Sequence, residues 1–497
     1  MTATGLARLE EVIDSSAVAA GLEASLPSGG RPRQLTVRTL LVGMAAAAAD
    51  GRPAHLTRVH QTLTALNEAD RRRLGVDVDW HAGPHQLTYR QVEYTYGLLD
   101  THLAAGNHHG APGEALTGVV DALTEASVPD RYKHATTAVA VDWTDLETWA
   151  QPPVAPGRPS ADADATWGHR RGHAPGAKDE LFYGYYPQAA TMVREEHGGP
   201  VPELVRRILV TSCHLDPPPA FAAVLKRMHD NGIPVGDVLA DSGYAHRLAT
   251  HWALPLRALG ANLIQDHHPH DRGRNGTWSG AIIANGNLYC PATPTALLDI
   301  APLPRAATDD TIAAHDTLTR EAARYKLGRI TTNDPDGYHR VACPAAAGKI
   351  RCPHQPQSLN LTADHPQILT PPQHPPTCCT QQTITVPPAV NAKTAQKHDY
   401  PGVDWRNSYT RRSAAERTNA TIKDPATNNI RRGWCRLMGL TAITLFLTCT
   451  IVARNQRIID AYETRQADDQ RRQTPPQPPA TRRHRRKTIA DLTNTPP

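Results

Sequence analysis

A chain of 497 residues is long enough for roughly two to four domains, and its formal net charge of +5 excludes a uniformly basic surface, because eight Lys or Arg face three Asp or Glu from Arg465 onward and the remainder is balanced. Only three Phe among abundant Ala, Arg and Pro argue against an aromatic-rich β-sandwich and for helices packed by Ala, Leu and Val. Eight cysteines in a chain of this length, with no N-terminal charged-then-apolar segment, argue against a secreted disulfide framework and for a reducing, cytoplasmic setting.

Residues 1–130 read as a helical N-terminal domain. Thr36 is placed to cap a helix through VRTLLVGMAAAAAD that Gly51 closes, Thr57 to start a second, and a third begins near Thr88. Such a front suits a DNA-end-binding domain and equally a plain helical bundle. From Lys133 the pattern becomes KHATTAVAVDW, a β-branched and apolar run without helical period. It reads as a buried strand ending on Asp142, and an ionisable residue there is a site candidate because such ends open onto the crevice of an α/β sheet. The bland alternative is a turn or helix cap. Asp145 is an odd number of residues away and would face the other side if the strand continued.

The Pro-, Gly- and His-rich stretch from Gln151 to Gly176 reads as a loop, with His169 and His173 as loop histidines. Two strands follow, LFYGYY with QAATMV and then VRRILVTSC ending at Cys213, and an amphipathic helix from Ala220 to Asn231 closed by Gly232. Val238 to Ala240 then ends an apolar strand directly before Asp241, the same arrangement as at Asp142. Here the alternative is that Asp241 caps the next helix. LRALGANLIQDH reads as one more strand.

Residues 266–403 form a Cys- and Pro-rich insertion with strand regions in SGAIIANGNLYCP and TITVPPAV and a helix near Thr311 to Tyr325. Trp278 is a core or surface aromatic, or one that stacks on an unpaired base. Cys290, Cys343, Cys352, Cys378 and Cys379 fall here, three of them as Cys-Pro, with His354 two residues after Cys352. Thiolate and imidazole ligands suit zinc, but no Cys-x-x-Cys pair is present, so reduced, uncoordinated cysteines stand beside a zinc site as the expectation.

Residues 404–463 contain SYTRRSAAERTNATIKD. At about 100° per residue, Tyr409, Arg412, Glu416 and Lys423 project from one stripe if the whole stretch is helical. One carboxylate among two cations and a phenol suits a metal ion beside a phosphate chain better than an apolar core. The competing reading makes Ser413-Ala-Ala-Glu416 a capping box, leaving Tyr409 and Arg412 in a loop. Leu437 to Ala453 is apolar but carries four Thr between Arg436 and Arg454, and it falls short of the roughly 20 residues of a membrane span. A buried helix is expected, and no membrane association. The basic, Pro-rich tail 464–497 reads as disordered.

Tyr409, Arg412, Glu416 and Lys423 stand at the spacing that marks a large class of DDE transposases from bacterial insertion sequences, and this stretch resembles that signature without a departure. Asp241-Ser-Gly-Tyr244 also looks like the class's pattern around its second aspartate. The resemblance implies an α/β fold: a ribonuclease H-like catalytic core, a mixed sheet with helices in 131–265 and 404–463, interrupted by a β-rich insertion and preceded by the helical domain. It implies Asp142, Asp241 and Glu416 as catalytic carboxylates holding two Mg2+ (or Mn2+) ions, and Tyr409, Arg412 and Lys423 as DNA contacts. Double-stranded DNA, as transposon ends and target, would be the partner, handled by a homodimer or larger assembly in the cytoplasm and nucleoid. Two alternatives stay open: a nuclease of the same fold that cuts without joining, and a non-catalytic, domesticated DNA-binding descendant.

Overall fold

The computed structural model describes residues 3–27, 33–79, 84–154, 157–170, 178–304 and 306–473. His173 and residues 474–497 lie outside them. Four helices dominate the first part: α1 (Ala3–Ser15), α2 (Val37–Ala49), α3 (Tyr89–Ala104) and α4 (Glu114–Ala126). Thr36 caps α2 by accepting from the Thr39 N–H, Gly51 follows it at φ +64°, and Thr88 with Gln91 forms a capping box at the start of α3. The helix expected from Thr57 begins one residue earlier, at Leu56, because the His55 ring accepts from the Thr57 N–H.

The chain then builds a mixed seven-stranded sheet. Its main strands are β1 (Val139–Trp143), β2 (Glu180–Met192), β3 (Val205–Ser212), β4 (Asp237–Ala240) and β5 (Asn262–Gln265). Across the sheet they run β3–β2–β1–β4–β5. The β3/β2 and β2/β1 pairs are antiparallel, and the β1/β4 and β4/β5 pairs are parallel. Helix α5 (Pro217–Asp230) makes the crossover from β3 toward β4 and buries Phe221, Val224, Leu225 and Met228. Such a parallel pairing needs a covered crossover, and the amphipathic run supplies it. Two details depart from expectation. Residues 166–170, which include His169, form a short strand on β2 and are not loop. LRALGANLIQ divides into a helical turn at Ala253–Ala258 and then β5, with Gly260 at φ +78° between them.

Residues 266–403 carry two three-stranded antiparallel sheets, the first from Arg274–Trp278, Ala281–Ala284 and Asn287–Tyr289, the second from Gly328–Arg329, His339–Ala342 and Ile384–Val386. Helix α6 (Asp309–Tyr325) lies between them in sequence. The Trp278 indole N–H donates to the Thr385 carbonyl at 2.9 Å, which ties the first sheet to the second and gives this tryptophan a structural partner.

Helices α7 (Ser413–Lys423) and α8 (Leu440–Gln473) are the last elements of the described residues. Residues 440–455 of α8 are buried on every face, packed against α2, α3, α4 and β3. The alanine run of α2 permits that approach, and one continuous apolar core runs from Leu6 through Val120 and Ile208 to Val452. No helix among the described residues is long and apolar enough to cross a membrane. The tail expected to be disordered from 464 is helical as far as Gln473. Buried Asn455 closes the start of β3: its amide donates to the Val205 carbonyl at 2.8 Å and its oxygen accepts from the Val205 N–H at 2.9 Å.

Candidate functional site

The β1/β4 register pairs Val139 with Val238 and Ala140 with Leu239. Carried two residues further, it sets Asp142 beside Asp241. The β4/β5 register pairs Ala240 with Gln265 and so sets Asp241 beside Asp266. Neighbouring strands lie about 4.8 Å apart, and residues opposite one another in register share a face, so three aspartates form a row at the carboxyl ends of three parallel strands. Their partners separate them. Asp266 accepts from the Tyr400 hydroxyl at 2.7 Å and from Arg272 at 3.3 Å. Among the described residues Asp142 has only neutral donors, the Trp143 N–H at 2.9 Å and the Asn419 amide at 3.1 Å. Asp241 caps the turn Ser242–Ala245, its Oδ1 accepting from the Gly243 N–H at 2.9 Å. The capping role and the site role coexist, since a carboxylate has two oxygens.

Burial, and then the negative charges of Asp241 and Glu416, push the Asp142 carboxyl up to about 7 against the opposing Arg412 cation and Trp143 N–H. An unfolded aspartate loses its proton near 3.9. Without divalent ions the folded protein therefore binds more protons than the unfolded chain between these values, and this group's contribution to stability is present at low pH and lost as pH rises from about 4 to about 7. Asp142→Asn is expected to remove that decline. Chemical denaturation at pH 5 and pH 8 in chelator, wild type against variant, measures it.

The stretch that carries Glu416 is helical throughout. Val403–Tyr409 is α-helix, Thr410–Arg412 a 3₁₀ turn, and α7 follows directly. The capping box does not form: Arg412 preceding α7 is itself in αR geometry, and the Ser413 hydroxyl donates to the Thr410 carbonyl at 2.9 Å. A capping serine needs an extended backbone before the helix, and the preceding helix denies it. Tyr409 stacks on Trp405 at 4.7 Å with planes 17° apart, and Arg412 sits 5.4 Å from the Tyr409 ring centre. The Trp405 indole donates to the Gln265 carbonyl at 3.2 Å, fixing the stack at the end of β5. Burial is the main cause that raises the Tyr409 phenol, with Arg412 opposing and Asp266, Asp241 and Glu416 adding to it. Arg412 pairs with Glu416, one turn on, whose side chain is 48% exposed.

Lys423 points elsewhere. Its ammonium lies 2.7 Å from Asp145, which Arg170 also approaches at 3.4 Å. Burial would raise the Asp145 carboxyl, but the Lys423 bond and both cations outweigh it and hold it below the usual value. The structure thus brings Asp142, Asp241, Glu416, Arg412 and Tyr409 into one electrostatic neighbourhood, while Lys423 stands at its edge with a carboxylate partner. Sequence reasoning missed Asn419, although three residues beyond Glu416 it shares that helix face. It also missed Arg411, which no periodicity marks.

In the Asp-Ser-Gly-Tyr turn, the glycine and the tyrosine are each required by packing. Tyr244 is fully buried between Trp143 and Trp252, with ring centres 4.6 Å away on both sides. A Cβ on Gly243 would fall 2.4 Å from the Trp143 ring and 3.0 Å from the Asp241 carboxylate. Gly243→Ala is expected to cost about 1–3 kcal/mol through overpacking and to displace Asp241. Thermal denaturation of the purified variant tests it.

Among the described residues, the ligand-type atoms that all fall within 4.8 Å of one another belong to His246, His268 and Asp271. Asp271 there is already paired with Lys393 at 2.7 Å, a cation that opposes a metal ion in the same place. Asp142, Asp241 and Glu416 are spaced more widely, with Glu416 drawn toward Arg412. No protein-family model and no curated protein matches this chain.

Proposed function

We propose that the chain is a DNA transposase of the DDE class, with Asp142, Asp241 and Glu416 as its catalytic carboxylates. The observation that supports this most is the placement of Asp142 and Asp241 side by side at the ends of parallel strands, with Glu416 on a helix packed across β1 and β2. The strand order, third–second–first–fourth–fifth with only the last two pairs parallel, is the order expected of a ribonuclease H-like core.

The donor set fits hard divalent cations. Of the three carboxylates only Glu416 has an ion-pair partner among the described residues, Arg412, and burial first, then the charges of Asp241 and Glu416, push the Asp142 carboxyl up to about 7, which describes a site short of positive charge. The wide spacing of Asp142, Asp241 and Glu416 would suit the holding of two such ions better than one. Bound Mg2+ or Mn2+ would supply an activated water or 3′-hydroxyl and neutralise the leaving oxygen.

The chain's own residues do the rest. Asp142 and Asp241, fixed by the sheet, set the position of the reacting phosphate. Glu416 must leave Arg412 to serve as a ligand, and the freed guanidinium is then available to grip a phosphate bidentately. Tyr409, held against Trp405, offers its hydroxyl to the same strand. Asn419 orients the Asp142 carboxylate. The basic charge at the C-terminal end adds nonspecific phosphate attraction, and self-association on paired DNA ends is expected.

The test is strand transfer. Purified protein with Mg2+ and a short duplex ending in the inverted repeats that flank its coding region should join the 3′ end to a plasmid target. Cutting without joining would instead favour a nuclease.

A further inference from the structure

Among the buried thiols of residues 266–403, Cys290, Cys343 and Cys352 pack into one apolar cluster. Cys290 follows the strand Asn287–Tyr289, Cys343 follows His339–Ala342, and Cys352 opens a tight bridge to Gln355. After each, a proline presets the turn and the chain folds back on the cysteine: the Thr293 N–H donates to the Cys290 carbonyl at 3.0 Å, Ala347 to Cys343 at 2.9 Å and Gln355 to Cys352 at 2.9 Å. The same turns aim backbone N–H groups at sulfur, from Ala292 to Cys290, from Ala345 and Ala346 to Cys343, and from His354 and Gln355 to Cys352.

Cys379 comes from the helical turn Thr377–Thr380, and its carbonyl accepts from the Gln355 side chain at 3.0 Å, joining that turn to the Cys352 turn. Cys378 and Cys379 pack together in a second cluster of the same region. The Cys378 thiol bonds to the Cys379 sulfur. A neutral thiol in an apolar core has no need of one or two N–H donors, whereas a metal-bound thiolate does.

We propose that Cys290, Cys343, Cys352 and Cys379 form a tetrahedral zinc site that joins the two small sheets of residues 266–403, with Cys378 and the backbone N–H groups bonding to the ligand sulfurs. No three of these sulfurs lie mutually within 4.8 Å, so binding rotates the side chains inward to Zn–S distances of about 2.3 Å. Zinc serves here as a staple: the apolar clusters around the two sheets are small, and small cores gain stability from a structural metal. The site stands whether or not the carboxylates cut DNA.

The test uses the full chain purified under reducing conditions without added metal. Elemental analysis should find about one zinc per chain, retained on dialysis against EDTA and released when a mercurial blocks the thiols. Cys343→Ser and Cys352→Ser should lose it and Cys213→Ser, a buried cysteine elsewhere, should keep it. Because the first two variants can fail to fold, cobalt is also exchanged into wild type, where sulfur-to-cobalt charge-transfer bands and intense tetrahedral d–d bands are expected. Protein without zinc, iron in place of zinc, or an octahedral cobalt spectrum would each overturn the assignment.

Discussion

Asp142→Asn and Asp241→Asn are each expected to slow metal-dependent DNA cleavage by roughly 10²–10³-fold or more, the scale on which removing one charge-stabilising group acts at a reaction centre. Asp266→Asn, one strand over in the same row, is expected to leave cleavage near wild type. The difference rests on partners. Asp266 is satisfied by Tyr400 and Arg272, whereas at Asp142 burial and neighbouring negative charge outweigh the Arg412 cation and the Trp143 N–H. Single-turnover rates on an end duplex in Mg2+, with folding of each variant checked by circular dichroism, measure the effect. A slow Asp266→Asn variant beside a fast Asp142→Asn variant would reverse the assignment of the row.

The second large effect concerns stability. Arg411 is 2% exposed and lies 2.9 Å from Asp237, itself 3% exposed, while donating to the Ser408 and Arg194 carbonyls at 3.0 and 3.1 Å. It clamps the turn between Tyr409 and Arg412 onto the start of β4. Lys397 also reaches Asp237 at 2.9 Å. Burial would raise the Asp237 carboxyl, but these two cations and their hydrogen bonds hold it low. Removing one partner of such a buried pair leaves an undercompensated charge, and Arg411→Met is expected to cost about 3–5 kcal/mol. Urea denaturation against wild type measures it. Asp237 with a lowered carboxyl contributes stability above the unfolded value, lost as pH falls, so acid should narrow the gap between wild type and variant.

The parts of the site that can be read from the amino-acid sequence are those written in local pattern. An apolar run that stops on Asp142, and another that stops on Asp241, carry their meaning within about five residues each, and the buried α8 follows from apolar length with interspersed threonine. What is not legible there depends on distant partners. Asp266 ends β5 just as the other two end their strands, and only Arg272 and Tyr400 separate it from them. Lys423 shares the stripe of Glu416, yet Asp145, nearly 280 positions earlier, captures it. The capping box at Ser413 is a sound local rule defeated by the helix before it. Arg411 shows no periodic signal because its role is fixed by Asp237 on another element, and the cysteines of 266–403 lack a recognisable spacing because their turns are brought together by two separate sheets.

Under the proposed function Glu416 leaves Arg412 and joins Asp142 and Asp241 in holding the divalent ions that DNA cleavage would require. The most direct measurement sets wild type and Glu416→Gln side by side on a labelled duplex carrying the flanking end sequence, with Mg2+ or Mn2+. Wild type should release a 3′-hydroxyl end at the repeat boundary, and Glu416→Gln, folded and still binding the duplex, should release essentially none. Equal cutting by the two proteins would contradict the account.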